Sequence, residues 1–178
     1  MSSPLGNVGL LIRNLVGEVG ERIIVLLLES KEALSDEEIA EKLGLRINDV
    51  RKALYDLVKL GFVTYRRVTR RESYWHSYKW YTNEMMIAQA VLRRKREVLK
   101  KLMQRLEFEK ENVFYVCPLD GSRYSFDEAF ENYFRCPRCG SDLVEIDNRK
   151  IIENLERLIE KLRREIEQDE KALSSRPV

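Results

Sequence analysis

Histidine is nearly missing from this 178-residue chain: His76 stands alone. No HExxH-type pattern exists, and His76 is far in sequence from every cysteine, so a catalytic zinc is not expected. Cysteine is scarce too. There are three, two of them in CxxCG, which cannot form a disulfide framework and point to a reducing, intracellular compartment. Nowhere does an apolar run reach the roughly 18 residues that a membrane span needs. The opening "MSSPLGNVGLLIRNLVG" has no basic start ahead of its apolar run, so a signal peptide is not expected. Charge of one sign is not in excess. A net charge of +2 excludes a generic polyanion binder and leaves any nucleic-acid contact to local patches. Internal repeats and low-complexity segments are absent, and no constellation of catalytic side chains is legible.

What is present is a foldable, heavily charged sequence: 44% hydrophobic and 35% charged, the balance of helices with solvated faces. Residues 8–30 are rich in Leu, Ile and Val, with Gly17 and Gly20 interrupting them. A short apolar helix followed by a buried one through "ERIIVLLLES" is expected. In "LSDEEIAEKLGLRINDVRKALYDLVKLGFVTYRR", Ser35 with Glu38 three residues on makes a capping box, and Gly44 stops the helix. Ile47, Val50, Leu54, Leu57 and Val58 recur at helical spacing, and Gly61 ends that second helix. Two aromatic, β-branched runs follow, Phe62–Thr69 and Tyr74–Tyr81, with "RRES" between them. They read as a hairpin with a polar tip. Helix, short helix, turn, helix, hairpin is the order of a winged helix-turn-helix domain, and the sequence style of 1–82 resembles that family.

The hairpin is the chain's basic and aromatic patch. Arg66, Arg67, Arg70 and Arg71 cluster near its tip, followed by Tyr74, Trp75, Tyr78, Trp80 and Tyr81. Strand alternation places Tyr74, His76, Tyr78 and Trp80 on one face and Trp75, Ser77, Lys79 and Tyr81 on the other. One face must pack on the helices; exposed aromatics on the other mark a partner surface or a stack for unpaired bases. His76 itself reads as structural. The helix at 46–60 occupies the recognition position but mixes Asp49 and Asp56 with its cations, which disfavours phosphate.

Residues 83–111 contain neither Gly nor Pro, and Met85, Leu92, Leu99 and Leu106 recur every seven residues around "RRKREVLKK". This is a long charged linker helix. Residues 148–173 carry a second seam, Ile152, Leu155, Ile159, Leu162 and Ile166, at heptad spacing. Lys95 and Arg96 interrupt the linker's companion positions, so an internal pairing of the two seams is expected to be imperfect. A partner chain docking on the C-terminal helix is expected instead.

Between the two helices, at 112–147, lies the cysteine module. "CPRCG" is a knuckle whose thiolates, Cys136 and Cys139, can share one tetrahedral zinc ion, and "VCPLDG" has the same shape with Asp120 where a fourth cysteine would stand. Cys117 and Asp120 would close a Cys₃Asp site, binding zinc more weakly than Cys₄ because oxygen is the harder ligand. Three readings stand open on the residues: a Cys₃ site with Asp120 or water as fourth ligand, a ribbon that has lost its metal and folds on Phe114, Tyr115, Tyr124, Phe126 and Phe134, or cysteines serving only as small core residues.

The order winged helix, linker helix, ribbon, heptad helix, together with "CPLDGSRYSFDEAFENYFRCPRCG", resembles the α subunit of archaeal transcription factor E, relatives of eukaryotic TFIIE α. The resemblance spans essentially the whole chain and departs from it at Asp120. It implies a mainly α protein with small β parts and no enzymatic activity. It further implies a basal initiation factor that joins RNA polymerase (clamp and stalk), TATA-binding protein, factor B and promoter DNA near the non-template strand, promotes clamp opening and DNA melting, and pairs with a β subunit. One zinc ion, no membrane partner and a cytoplasmic location, nucleoid-associated during initiation, go with it. The competing expectation is a dimeric winged-helix repressor that senses a metal or another effector.

Overall fold

The computed structural model describes residues 7–30, 32–69 and 76–175. These form two compact units, one around residues 7–94 and one spanning 95–172.

In the first unit, α1 (Asn7–Glu29) is a long apolar helix broken at Gly17, whose φ of 85° and ψ of −179° no helix accommodates. Helix α2 (Asp36–Leu43) starts on the expected capping box: Glu38 N–H donates to Ser35 Oγ at 3.2 Å and Ser35 N–H to the Glu38 carboxylate at 2.6 Å. Helix α3 (Ile47–Leu60) buries Val50, Ala53, Leu54 and Leu57 on one stripe and ends at Gly61. Gly61 has φ 77°, the left-handed cap conformation that a side chain resists.

Strands β1 (Thr64–Thr69) and β2 (His76–Tyr81) pair antiparallel, with Tyr65 opposite Trp80 and Arg67 opposite Tyr78. Phe62 and Val63, expected in the first strand, instead drop into the core behind the Gly61 turn. Leu34 adds a bridge to the other edge of β2, exchanging both backbone bonds with Trp80. The core gathers Ile12, Ile23, Ile24, Ile39, Leu54, Leu57, Phe62 and Trp80, joined by Ile87 and Ala90 from the start of the next helix. This is a winged helix-turn-helix.

Helix α4 (Glu84–Glu111) contains the boundary between the units. Beyond it, β3 (Phe114–Val116) is the centre of a three-stranded antiparallel sheet, flanked by β4 (Arg123–Ser125) and β5 (Val144–Ile146). A short helix, α5 (Phe126–Glu131), rises directly from β4. Its start carries a second capping box, Ser125 with Glu128, a signal present in the sequence that the reading of 112–147 as a cysteine module did not use.

The last helix, α6 (Arg149–Ser174), runs antiparallel to the second half of α4. Lys95 pairs with Asp169 at 2.8 Å and Glu165 at 3.2 Å, and Arg96 with Glu170 at 2.6 Å. At the other end Lys110 meets Glu156 at 2.6 Å. Lys95 and Arg96 therefore link the two helices instead of spoiling their match, because α6 offers carboxylates at the facing positions. Among the described residues, no helix is long and apolar enough to cross a membrane.

Candidate metal centre and wing

The two knuckles are built alike. After Cys117 the chain turns through Pro118, Leu119 and Asp120 to Gly121; after Cys136 it turns through Pro137, Arg138 and Cys139 to Gly140. In each, the glycine N–H bonds back to the first cysteine's carbonyl, at 2.9 and 2.8 Å. In each, the cysteine N–H donates to the serine carbonyl five residues on, Ser122 at 2.9 Å and Ser141 at 2.8 Å. Both glycines have positive φ, 71° and 74°, which these tight returns require. Asp120 thus occupies in the first knuckle the place Cys139 occupies in the second.

The side chains converge. Ligand atoms of Cys117, Asp120, Cys136 and Cys139 all lie within 4.8 Å of one another. Cys117 Sγ and Cys139 Sγ are 3.4 Å apart, and Asp120 Oδ2 is 3.5 Å from Cys136 Sγ. Thiolates around one zinc ion, each at about 2.3 Å from the metal, stand roughly 3.8 Å apart, so the cluster is close to a tetrahedral set. Three sulfurs and one carboxylate oxygen suit zinc, which takes both ligand types.

Cys117 and Cys136 are buried, whereas Asp120 and Cys139 are exposed. Ser122 N–H holds Asp120 Oδ1 at 2.8 Å, leaving Oδ2 for the cluster. That amide bond, chief among the causes, brings the carboxyl down to about 2. Ser141, which sequence reading did not single out, has its Oγ 3.1 Å from both Cys117 and Cys139. Its hydroxyl, then its backbone N–H, lower the Cys139 thiol to about 7, while burial pushes Cys117 up. The Tyr124 hydroxyl, 3.5 Å from Cys136, completes the surround. Neither residue carries a motif; only the spacing of the second knuckle could have pointed to Ser141.

Of the aromatics named for a metal-free ribbon, four are drawn inward and Phe126 is not, being 44% exposed. Tyr115, Tyr124 and Phe134 pack against buried Cys117, Ala129, Cys136 and Leu143, and Phe114 is 3% exposed.

On the wing, Arg66 and Arg67 are exposed on β1. Arg70, Arg71, Tyr74 and Trp75 lie outside the described residues. The face carrying Trp80 packs on α3: Trp80 is 3% exposed and meets Tyr55 edge-on at 6.2 Å and Tyr65 at 5.2 Å. On the opposite face Lys79 pairs with Glu38 at 2.6 Å. The cations of α3 are largely committed: Arg46 to Asp49, Arg51 to Asp36 and Glu37, Lys59 to Asp56. Such a helix presents little free positive charge to phosphate.

The C-terminal seam is partly covered within the chain. Ile159 and Ile166 are buried, and Ile152, Leu155 and Leu162 are half-buried. Ile159 faces Leu99, Met103 and Leu106 of α4 across a groove of about 950 Å³.

Comparison with known proteins agrees with this arrangement. The family model of the TFIIE alpha subunit matches residues 8–111, the winged helix and the whole of α4. "Transcription factor E" of Metallosphaera sedula is 47% identical over 163 residues, 92% of this chain and 93% of the relative. Proteins of the same name from Saccharolobus islandicus and Saccharolobus solfataricus are 45% and 44% identical over 161 residues, each match covering 90% of this chain and 92% and 90% of the relative. The family is one of transcription factors and not of enzymes. With matches that run through the winged helix, the linker helix and the ribbon, this chain belongs to the archaeal transcription factor E family, the relatives of the TFIIE alpha subunit.

Proposed function

We propose that this initiation factor acts on RNA polymerase at the promoter and not as a free-standing DNA reader. It joins the polymerase clamp and stalk in a complex with TATA-binding protein and factor B, and favours the open clamp and the melted bubble. The carrying observation is the charge on and just before α3, where Arg46, Arg51 and Lys59 are paired with carboxylates of the same chain and Asp49 and Asp56 stand among them, leaving Lys52, among the described residues, as the exposed cation without such a pairing. A major-groove repressor would need them free. The exposed Arg66 and Arg67 of β1 meet the non-template strand, together with Arg70, Arg71, Tyr74 and Trp75, which follow them in the sequence. The work required is thermodynamic: a protein that binds the open state more tightly shifts the closed-to-open equilibrium by that difference in affinity.

The ribbon, 112–147, takes one zinc ion on Cys117, Cys136, Cys139 and Asp120. A metal there would supply no chemistry to a substrate; it would tie together two knuckles whose tips otherwise meet through side-chain contacts, beyond the pairing of β3 with β5. The α6 seam, with Ile152, Leu155, Ile159, Leu162 and Ile166, adds a docking element for a β partner subunit. The protein works in the cytoplasm of an archaeal cell, on the nucleoid during initiation.

The test is a promoter-opening assay with purified archaeal polymerase, TATA-binding protein and factor B, read by permanganate reactivity of bubble thymines. The chain should raise reactivity most at promoters that melt poorly, and Arg66→Ala with Arg67→Ala should reduce that gain. Sequence-specific protection of a palindrome by the protein alone, without polymerase, would instead establish the dimeric repressor.

A further inference from the structure

The ribbon presents an aromatic knob whose outer end its own fold leaves in solvent. Phe126 and Phe130 of α5 stack with centroids 6.0 Å apart and planes 15° from parallel. Phe134 meets both edge-on, at 5.9 and 6.3 Å, and Tyr115 continues the ladder inward from Phe134 at 5.1 Å. The inner end of this ladder packs on the cysteine cluster, while the outer end stands in solvent: Phe126 is 44% exposed, Phe130 63% and Tyr133 87%.

The backbone holds the knob out at a cost. Tyr133 and Phe134 are consecutive residues with φ of 53° and 57°, the left-handed conformation that a bulky side chain resists. The turn is a helix C-terminus of the kind glycine normally closes, with Tyr133 N–H bonded to the Phe130 carbonyl at 3.0 Å and Phe134 N–H to the Ala129 carbonyl at 2.7 Å. Phe134, half-buried, offsets its cost by packing on the cysteine cluster and Tyr115. Tyr133, 87% exposed, recovers nothing inside the molecule. A strained, solvent-facing tyrosine beside two stacked phenylalanines is a contact surface.

Charge selects what it contacts. Helix α5, "FDEAFE", carries Asp127, Glu128 and Glu131 and no cation, and the neighbouring exposed Arg135 faces Asp142 at 3.6 Å. Carboxylates at this density repel a phosphate backbone, so stacking on nucleic-acid bases is disfavoured, and they attract Lys and Arg. We propose that Phe126, Phe130 and Tyr133 form a docking knob for a polypeptide segment of the polymerase that carries apolar side chains flanked by Lys or Arg.

This proposal rests on the polymerase-binding reading above, and the experiment separates the two. Binding of the full chain to immobilised archaeal RNA polymerase is measured for the unaltered protein, Phe130→Ser with Tyr133→Ser, Asp127→Lys with Glu131→Lys, and Tyr133→Gly. The first double variant should weaken binding about tenfold, equivalent to about 1.4 kcal/mol. The second should weaken it and flatten its dependence on salt. Tyr133→Gly is the diagnostic variant: it should weaken binding while leaving the melting temperature unchanged or raised, because glycine relieves the left-handed strain. Equal binding by all three variants overturns the knob while leaving the polymerase reading intact. No measurable binding by the unaltered chain overturns both. A fall in melting temperature for Tyr133→Gly with binding unchanged makes Tyr133 structural and overturns the knob. Capture of a single-stranded oligonucleotide that Phe130→Ser with Tyr133→Ser abolishes would overturn the polypeptide assignment.

Discussion

Glu109 and Arg123 face each other through two parallel bonds, Nη1 to Oε1 at 2.7 Å and Nη2 to Oε2 at 2.6 Å. Glu109 sits near the end of α4 and is 1% exposed; Arg123 lies on β4 with its guanidinium 3.7 Å from the centre of the Phe114 ring. Arg105 also reaches the carboxylate at 2.6 Å, and Asn148, just before α6, donates to both its Oε2 and its backbone carbonyl. One carboxylate thereby joins the linker helix, the ribbon and the last helix. The pairing is bidentate, with the carboxylate fully buried and the guanidinium half-buried, a geometry in which removal of one partner leaves a costly orphan charge.

Glu109→Gln should destabilise the unit spanning 95–172 by about 3 kcal/mol, the lower end for a broken buried pair, since Arg123 is half-buried and loses its counter-charge. Thermal unfolding of the variant checks this.

Acid should have the same effect on the native protein. The Arg123 guanidinium, the largest cause, with Asn148 and Arg105, holds Glu109 at about 2, below its usual 4.5. A depressed carboxylate stabilises above its unfolded pKa, and that stability drains as pH falls from about 4.5 toward about 2, a loss on the order of 3 kcal/mol. Urea titrations across that window should show the decline, and Glu109→Gln should remove its Glu109 component.

For the metal centre, purified protein should carry about one zinc ion per chain. Asp120→Cys should slow its loss to a chelator, because a fourth thiolate suits zinc better than a carboxylate. Ser141→Ala should weaken retention about 10–100-fold, the usual effect of removing a partner from behind the ligands. Competition with a chromophoric chelator reads both.

Ile159→Ala should cost about 2–5 kcal/mol, as a buried isoleucine between two helices does. Leu158→Asp, at a position 52% exposed, should cost little. If α6 also receives a β subunit, Leu155→Asp with Leu162→Asp should abolish co-purification with it while leaving the winged helix folded.

How much of this could be read beforehand follows the range of the interactions. The Ser35–Glu38 box, the stops at Gly44 and Gly61 and the stripe on α3 are set within four residues of chain, and sequence alone placed them. The knuckles were legible for the same reason: each closes on itself by backbone bonds, so Cys117 and Asp120 could be paired with Cys136 and Cys139 by spacing. Helix α5 was equally local, with Ser125 and Glu128 in plain view, and went unread because the segment was weighed for its cysteines and aromatics alone. The Glu109, Arg123 and Asn148 junction spans 39 residues and leaves no periodic trace. Lys95 and Arg96 misled because they were weighed as breaks in an apolar stripe. Their carboxylate partners Glu165, Asp169 and Glu170 lie about 70 positions away, and only the antiparallel return of α6 brings them together.

The Asn148 side chain bonds to the carbonyl of Glu109, so the chain leaves α4 and re-enters α6 almost at the same point. In consequence the ribbon behaves as an insertion in a helical hairpin, entered and left through a single closed neck. A short turn could replace residues 112–147 without changing the path of either helix, with Arg105 and Asn148 remaining as partners of the Glu109 carboxylate once Arg123 is gone. The same neck would accept a ribbon from a relative as a cassette. A ribbon exchanged in this way would carry its own cysteine cluster and exposed aromatics into an otherwise unaltered helical hairpin.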